Sequence, residues 1–432
     1  MENDPGLETG ALAGPPHLPQ SIADVDVPRS FLEELLLKIL YLSGPFTFFD
    51  WVRLARLSKD VVDELFQRLR KEQLCEVTGM VGNDRQIAIT SQGRSRAREL
   101  LSWNQYAGPA PVSLETYARQ VRRQSVRNVE VHPAIMRNAL AHLVLDDQTV
   151  TRLGTALNSG GSIFLHGPTG SGKTTIAAAL PRVLADDRVW IPFAVEIDGQ
   201  VITVFDPLVH QNFPDSGPVK SDPRWVLCHR PTVVVGGELT IEMLDLQFNA
   251  VTRFYAGPVQ MKANCGVLII DDFGRQRVRP EELLNRWVVP LDRRIDFLTL
   301  AGGKKLEIPF EMFVVFSTNM NPAELADAAF LRRIQTKIKV DVASEEQFRE
   351  IFRRTCDERG LRHDPKLADE LIEILQRKLS EPLRPCYPRD LINQVCWAAR
   401  YEGQSPVLDR ETLTRAIDTY FLSGQGAGAP KE

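Results

Sequence analysis

The stretch Gly167-Pro168-Thr169-Gly170-Ser171-Gly172-Lys173-Thr174-Thr175 constrains this chain more than any other. An apolar run, Ser162-Ile163-Phe164-Leu165-His166, leads into it, and a run of helical character, Ile176 to Leu184, follows. Strand, glycine-rich loop and helix in that order make a P-loop, which wraps an anionic phosphate chain. The glycines let successive backbone N–H groups turn inward, and the helix adds its positive N-terminal end. In such a loop the lysine, Lys173, reaches the β- and γ-phosphates, and the next hydroxyl, Thr174, sits on Mg²⁺. Every motif position from Gly167 to Thr175 is filled and both flanks fit, which a chance glycine turn would not achieve.

A phosphate site of this kind needs carboxylates for the metal and the water. Gly266-Val267-Leu268-Ile269-Ile270-Asp271-Asp272 supplies them: a continuous apolar run ending in acids reads as a buried parallel strand. Asp271 is expected to hold Mg²⁺, mostly through water, and Asp272 to orient or deprotonate the attacking water. Phe313-Val314-Val315-Phe316-Ser317-Thr318-Asn319 is a second buried strand with a polar end. Asn319 would face the γ-phosphate or the water, with Asn321 as the competing choice. In Ala328-Ala329-Phe330-Leu331-Arg332-Arg333-Ile334 two arginines end a helix. An arginine finger is favoured there over a structural ion pair, because Arg stays charged and spreads donors over transferring oxygens.

Composition limits the partners. The 432 residues are 43% hydrophobic and 25% charged, which suits a globular chain of two or three domains. A formal net charge of −4 carries no overall nucleic-acid signature. Six cysteines without a CxxC pair point to reduced thiols and a cytoplasmic location. No apolar run is long enough for a bilayer, so no membrane insertion is expected. Residues 1–27, rich in Pro, Gly and acids, read as a disordered tail, and residues 423–432 as another.

Residues 28–103 read as a small domain. Helical spacing runs from Phe31 to Leu40 and from Phe48 to Ala55, and Ser58 would cap a helix from Lys59 to Lys71. Two strand-like pieces, Leu74–Thr78 and Gln86–Thr90, precede a helix starting near Ser91. This order resembles a winged helix-turn-helix domain. Its reading helix would offer Lys59, Asp60, Asp63 and Glu64 to DNA, and the three acids repel phosphate. A protein-docking or inter-domain module is therefore favoured over DNA binding. Residues 104–128 read as a linker, with Arg119, Arg122, Arg123 and Arg127 in a solvated stretch.

Residues 129–342 read as the nucleotide-binding core. Helices are expected over Pro133–Leu143 and Gln148–Leu157. The stretch Ala185 to Asn264 reads as an insertion ahead of the acidic strand, with strands around Asp198-Gly199, a strand Thr232–Val235 and a helical piece near Ile241–Phe254. Residues 343–422 read as a helical lid, with helices over 345–359, 365–379, 389–401 and 410–421.

The order of P-loop, acidic strand, asparagine strand and arginine pair resembles the AAA+ ATPases. Gly257-Pro258 through Asn264 and Asp271-Asp272-Phe273-Gly274-Arg275-Gln276 look like the MoxR-like and chelatase branch. A hairpin around Gly302-Gly303, within Arg294–Pro309, is similar to that branch's pore-facing hairpin. Tyr387-Pro388-Arg389-Asp390-Leu391 looks like the lid's sensor motif, which implies that Arg389 points to the γ-phosphate. The resemblance covers roughly residues 130–421. It implies an α/β fold with a parallel sheet and a helical lid, and ATP and Mg²⁺ as cofactors. It also implies a ring of identical subunits, a hexamer by analogy, with Arg332 and Arg333 reaching a neighbour's ATP. The family's usual second acid is Glu where this chain has Asp272, which puts brisk turnover in question. The expected role is ATP-driven remodelling or assembly of a protein client. The rivals are a DNA-dependent ATPase, using the winged helix with Lys304 and Lys305, and an ATP-binding assembly switch with little turnover.

Overall fold

The computed structural model describes residues 14–213, 221–325, 328–362 and 364–421. The expected disordered stretch 423–432 lies outside them. At the centre is a five-stranded parallel sheet in the order Thr232–Val235, Val267–Ile270, Phe313–Thr318, Ser162–His166, Thr336–Lys339. The three middle strands are apolar on both faces because helices cover both. Ile163, Leu165, Ile269 and Val315 pack on one side, and Phe164, Leu268, Ile270, Val314 and Phe316 on the other. All five run parallel, so their C-terminal ends share one edge, which places the P-loop, the acids and Asn319 together.

Thr232–Val235 pairs in parallel with Val267–Ile270 and so belongs to this core sheet, not to an insertion. The inserted part is shorter than the sequence suggested. The helical piece expected near Ile241–Phe254 is also corrected. Only Glu242–Leu244 makes a single 3₁₀ turn, and Gln247–Phe248 pairs antiparallel with Tyr255–Ala256. The strands around Asp198-Gly199 form the expected hairpin, Ala194–Ile197 with Gln200–Thr203. That hairpin lies in a second five-stranded sheet, whose edge strand is Val112–Ser113.

The stretch expected to be a solvated linker is therefore part of a core. Leu114–Arg123 is a helix capped by Ser113, whose Oγ accepts the Thr116 N–H at 3.1 Å. Its Tyr117 and Val121 are buried against Leu298, Leu306 and Ile308 of the antiparallel hairpin Ile295–Thr299/Lys305–Pro309. The arginines that made it look like a linker lie on the helix's other side: Arg119 and Arg122 are more than half exposed.

The N-terminal residues form the helix order expected: Arg29–Ser43, Phe48–Ala55, Lys59–Lys71, then Ser91–Trp103 after the strands Cys75–Val81 and Asp84–Ile89. A two-residue strand, Phe46–Thr47, completes a three-stranded sheet. The expected disordered tail ends too late. Residues 14–27 lie against the fold: Val25 and Val27 are buried, and the Ile22 N–H donates to Glu64 Oε2 at 3.3 Å. Asp26 Oδ1 meets Arg224 Nη1 at 2.7 Å, and Arg224 is only 3% exposed and also held by Asp222.

The C-terminal helices are Glu345–Glu358, Pro365–Glu373 with a π-helical extension through Lys378, Cys386–Tyr401 and Arg410–Tyr420. The third starts earlier than the sequence reading placed it. Pro388 is tolerated because it falls in the first turn, where backbone N–H groups have no helical partner. Among the described residues no helix is long and apolar enough to cross a membrane.

Candidate functional site

The loop after Ser162–His166 is shaped by its glycines. Gly167, Gly170 and Gly172 have φ of +150°, +79° and +93°. At Gly167 a Cβ would stand 2.1 Å from the Val340 carbonyl oxygen, so the adjoining strand leaves room only for hydrogen. The helix Lys173–Ala179 begins directly after Gly172, which aims its first N–H groups into the loop.

Lys173 is 7% exposed, and its Nζ donates to the Pro168 carbonyl at 2.8 Å, curling back across the loop. Burial pushes its ammonium below the ordinary lysine value, opposed by the negative charges of Asp272 and Asp271. Pro168, Thr169 and Thr175 are exposed, and Ser171 is buried with its Oγ 3.5 Å from Lys173 Nζ. Burial likewise lowers the His166 imidazole, with Lys339 adding to the effect.

Thr174 Oγ1 donates to Asp271 Oδ1 at 3.0 Å. The two residues expected to share a metal, 97 positions apart, are thus in contact. Asp271 is placed by its own N–H, which donates to the Val235 carbonyl at 2.9 Å, one residue beyond the strand's end. Asp272 is exposed and left-handed, with φ +49°. Gln276 braces this turn: its Oε1 accepts the Gly274 N–H at 2.8 Å and its Nε2 donates to the Asp271 carbonyl at 2.7 Å. Thr318 Oγ1 adds a bond to the Phe273 carbonyl at 2.7 Å. The sequence reading gave Gln276 no role of its own.

The two asparagines separate. Asn319 Nδ2 donates to Thr169 Oγ1 of the loop at 3.2 Å, whereas Asn321 Oδ1 accepts the Ala323 N–H at the start of a short helix. The two arginines separate as well. Arg333 Nε pairs with Asp292 Oδ2 of its own chain at 2.7 Å, while Arg332 is exposed. Arg389 is exposed beside Asp390, 3.4 Å away. The lid residues that touch the loop are others. A Cβ on Gly170 would lie 2.8 Å from Cys386 Sγ and 3.2 Å from Arg384 Cδ. Sequence reasoning missed Arg384; its one signal is the Pro-Leu-Arg-Pro sequence at residues 382–385, a stiff entry to a helix.

The residues present fit a polyphosphate with Mg²⁺. The loop leaves glycine-shaped room for phosphates, a hydroxyl and a carboxylate already meet where a hard cation takes oxygen ligands, and Arg384 Nε is buried without a hydrogen-bond partner among the described residues. The described residues hold no group of three or more His, Cys, Asp or Glu side chains able to bind a metal ion.

A family model described as a domain of unknown function (DUF8689) matches residues 344–419, the C-terminal helices alone. No curated protein matches the chain. Among solved structures, it is similar to the RuvB Holliday junction branch migration motor of Thermotoga maritima. The identity is 13% and the TM-score 0.37, over 64% of this chain and 69% of that one. It is also similar to NtrX from Brucella abortus, crystallised with ATP, at 14% identity and a TM-score of 0.36 over 83% of this chain and 67% of that one. The chain is an α/β protein built on a five-stranded parallel sheet and followed by C-terminal helices.

Proposed function

We propose that this chain is an AAA+ ATPase that binds ATP with Mg²⁺ and hydrolyses it as a ring oligomer to remodel or assemble a protein partner. The observation that carries the reading is the Thr174–Asp271 contact beside a P-loop lysine. Lys173 and the loop amides would hold the phosphates, Thr174 and Asp271 the metal, and Asn319 a γ-phosphate oxygen or the water. Mg²⁺ when bound neutralises charge on the phosphates and orients them. Asp272 would take the water's proton. It is shorter than the family's usual Glu and would need a repositioned water, which keeps an assembly switch as the second reading. Arg332, exposed at a helix end, is better placed than Arg333 to reach a neighbouring subunit.

A protein client is favoured over DNA. On the helix Lys59–Lys71, Asp63 pairs with Arg85 at 2.5 Å and Glu64 accepts the Ile22 N–H, while the exposed Asp60 adds negative charge at the N-terminal turn, which repels phosphate. Lys304 of the hairpin is already paired with Asp198. The N-terminal domain, read as winged-helix, would then serve docking.

Titration with fluorescent ATP and measurement of phosphate release test the reading. Lys173→Ala should abolish binding, and Asp272→Asn should bind but not release phosphate. Phosphate release unchanged in both variants would remove the active site from this place. ATPase stimulated several-fold by DNA at about 0.15 M salt would promote the DNA-dependent reading.

A further inference from the structure

We propose that Arg384 is the lid residue that grips the polyphosphate, and that it does so by exchanging Glu381 for phosphate. The proposal rests on the nucleotide reading above.

Three observations carry it. The first is position. The Arg384 stem lies directly on the loop: a Cβ on Gly170 would come within 3.2 Å of Arg384 Cδ and 3.6 Å of Arg384 Cβ. That closeness is fixed by backbone, since the Leu383 carbonyl accepts the Ala343 N–H at 2.8 Å, and Pro382 and Pro385 flank the arginine.

The second is an unmet valence. A guanidinium carries five N–H donors in a planar fork. Arg384 uses it on one acceptor, with Nη2 3.3 Å from Glu381 Oε2, while its Nε is shut from water with no partner among the described residues. The side chain as a whole is a third exposed, so the guanidinium can turn, and a part-bonded fork beside an anion-binding loop is matched by a ligand with several oxygens.

The third is a ready exchange. Glu381 accepts a second bond, from the Tyr387 hydroxyl at 2.7 Å, and the Arg384 guanidinium lies 5.5 Å from the Tyr387 ring centroid. If Arg384 turns to phosphate, Glu381 keeps the Tyr387 hydroxyl and is not stranded. Tyr387 lies in the first turn of the helix Cys386–Tyr401, so the glutamate that Arg384 releases stays tied to that helix. Arg389, which the sequence motif singles out, has none of these features: it is exposed beside Asp390.

The test is equilibrium titration of the full chain with fluorescent ATP, and its displacement by inorganic tripolyphosphate, with circular dichroism to check folding. Arg384→Ala should weaken both ligands by ~10–100-fold, the range for losing charge-assisted hydrogen bonds. Arg384→Lys should fall between, because it keeps the charge and loses the fork. Glu381→Gln removes the competitor and should tighten both ligands several-fold, an effect opposite in sign to a damaged loop; this variant and Arg384→Lys carry the test if Arg384→Ala does not fold. Lys173→Ala separates the two layers. If it binds like the wild type, the nucleotide reading itself fails. If it loses binding while Arg384→Ala keeps wild-type affinity, only the present proposal is overturned. Loss confined to Arg389→Ala, or weakened ATP with unchanged tripolyphosphate, overturns it as well.

Discussion

Replacing Gly167 with alanine should destabilise the core far more than the same change at Gly172, although both glycines belong to one loop. Gly172 has φ +93° and no atom within 4 Å of an added Cβ, so Gly172→Ala meets backbone strain alone. That strain costs about 1–2 kcal/mol. Gly167 has φ +150°, a region closed to other residues, and its Cβ would stand 2.1 Å from the Val340 carbonyl oxygen. Ordinary contact begins at 3.4 Å, 1.3 Å farther away. Val340 cannot yield it freely, because its N–H is bonded to the His166 carbonyl at 2.8 Å just past the parallel strand pair. Backbone strain and forced overpacking together should cost about 3–5 kcal/mol. Denaturant unfolding followed by tryptophan fluorescence would measure both variants, with fluorescent-ATP titration beside it. Gly167→Ala should unfold earlier and bind no nucleotide. Equal losses in the two variants would show that the Val340 contact does not shape the loop.

Three further outcomes are expected. Asp26→Ala removes one carboxylate from the buried Arg224 and the acceptor of the Ser113 N–H; it should lower stability by about 2–4 kcal/mol and expose residues 14–27 to limited proteolysis, and an unchanged digestion pattern would contradict the packing described. Lys38 is buried, and burial pulls its ammonium from the ordinary 10.5 down to about 8, with Glu34 opposing. The unfolded chain therefore binds the extra proton between those values, so wild-type stability rises with pH across that window. Lys38→Met should be the more stable protein at pH 7, by about 1–2 kcal/mol once loss of the bond to the Asn104 carbonyl is counted, and its advantage should shrink from pH 8 to pH 10. If Arg332 acts on a neighbour, activity per chain should rise with protein concentration, and mixing Arg332→Ala with Asp272→Asn chains should restore part of it; full activity in a proven monomer would refute this.

The P-loop, the acidic strand and the asparagine strand were legible because each is a continuous apolar run with polar residues at one end, a pattern that burial on both faces imposes. The strand Thr336–Lys339 was not. As an edge strand it exposes Lys337 and Lys339, and only Ile338 is buried, so it carries no apolar run. The helix Leu114–Arg123 misled for a related reason: its arginines dominate the composition while Tyr117 and Val121 on the hidden face do the packing. Over Ile241–Phe254 the apolar spacing imitated a helix, but the segment pairs with Tyr255–Ala256, a contact no local pattern contains. Arg384 was hidden differently. A motif five residues long drew attention to Arg389, while the distance that matters, from Gly170 to Arg384, joins segments more than two hundred positions apart and exists only once the C-terminal helices are packed.

That docking has a counterpart on the other side of the core. The hairpin's last residue, Pro309, accepts a bond from Asn264 Nδ2 at 2.9 Å, and Asn264 Oδ1 accepts the Glu311 N–H at 2.8 Å, two residues before the asparagine strand. Asn264 itself lies three residues before the acidic strand, so the hairpin is pinned to the roots of the two strands that carry the site. At its tip the Ala301 N–H donates to the Tyr255 hydroxyl of the second sheet at 2.9 Å. The second sheet in turn holds the N-terminal domain. Ala194 and Val201 pack into that domain's core, the Gln105 N–H donates to the Thr252 carbonyl at 2.9 Å, and Tyr106 meets Phe254 edge-on at 5.5 Å. Site strands, hairpin, second sheet and N-terminal domain are thus linked by one continuous series of contacts, and the helix Leu114–Arg123 packs against the hairpin within it. A shift of the acidic or asparagine strand would therefore reach the N-terminal domain through the hairpin and the second sheet.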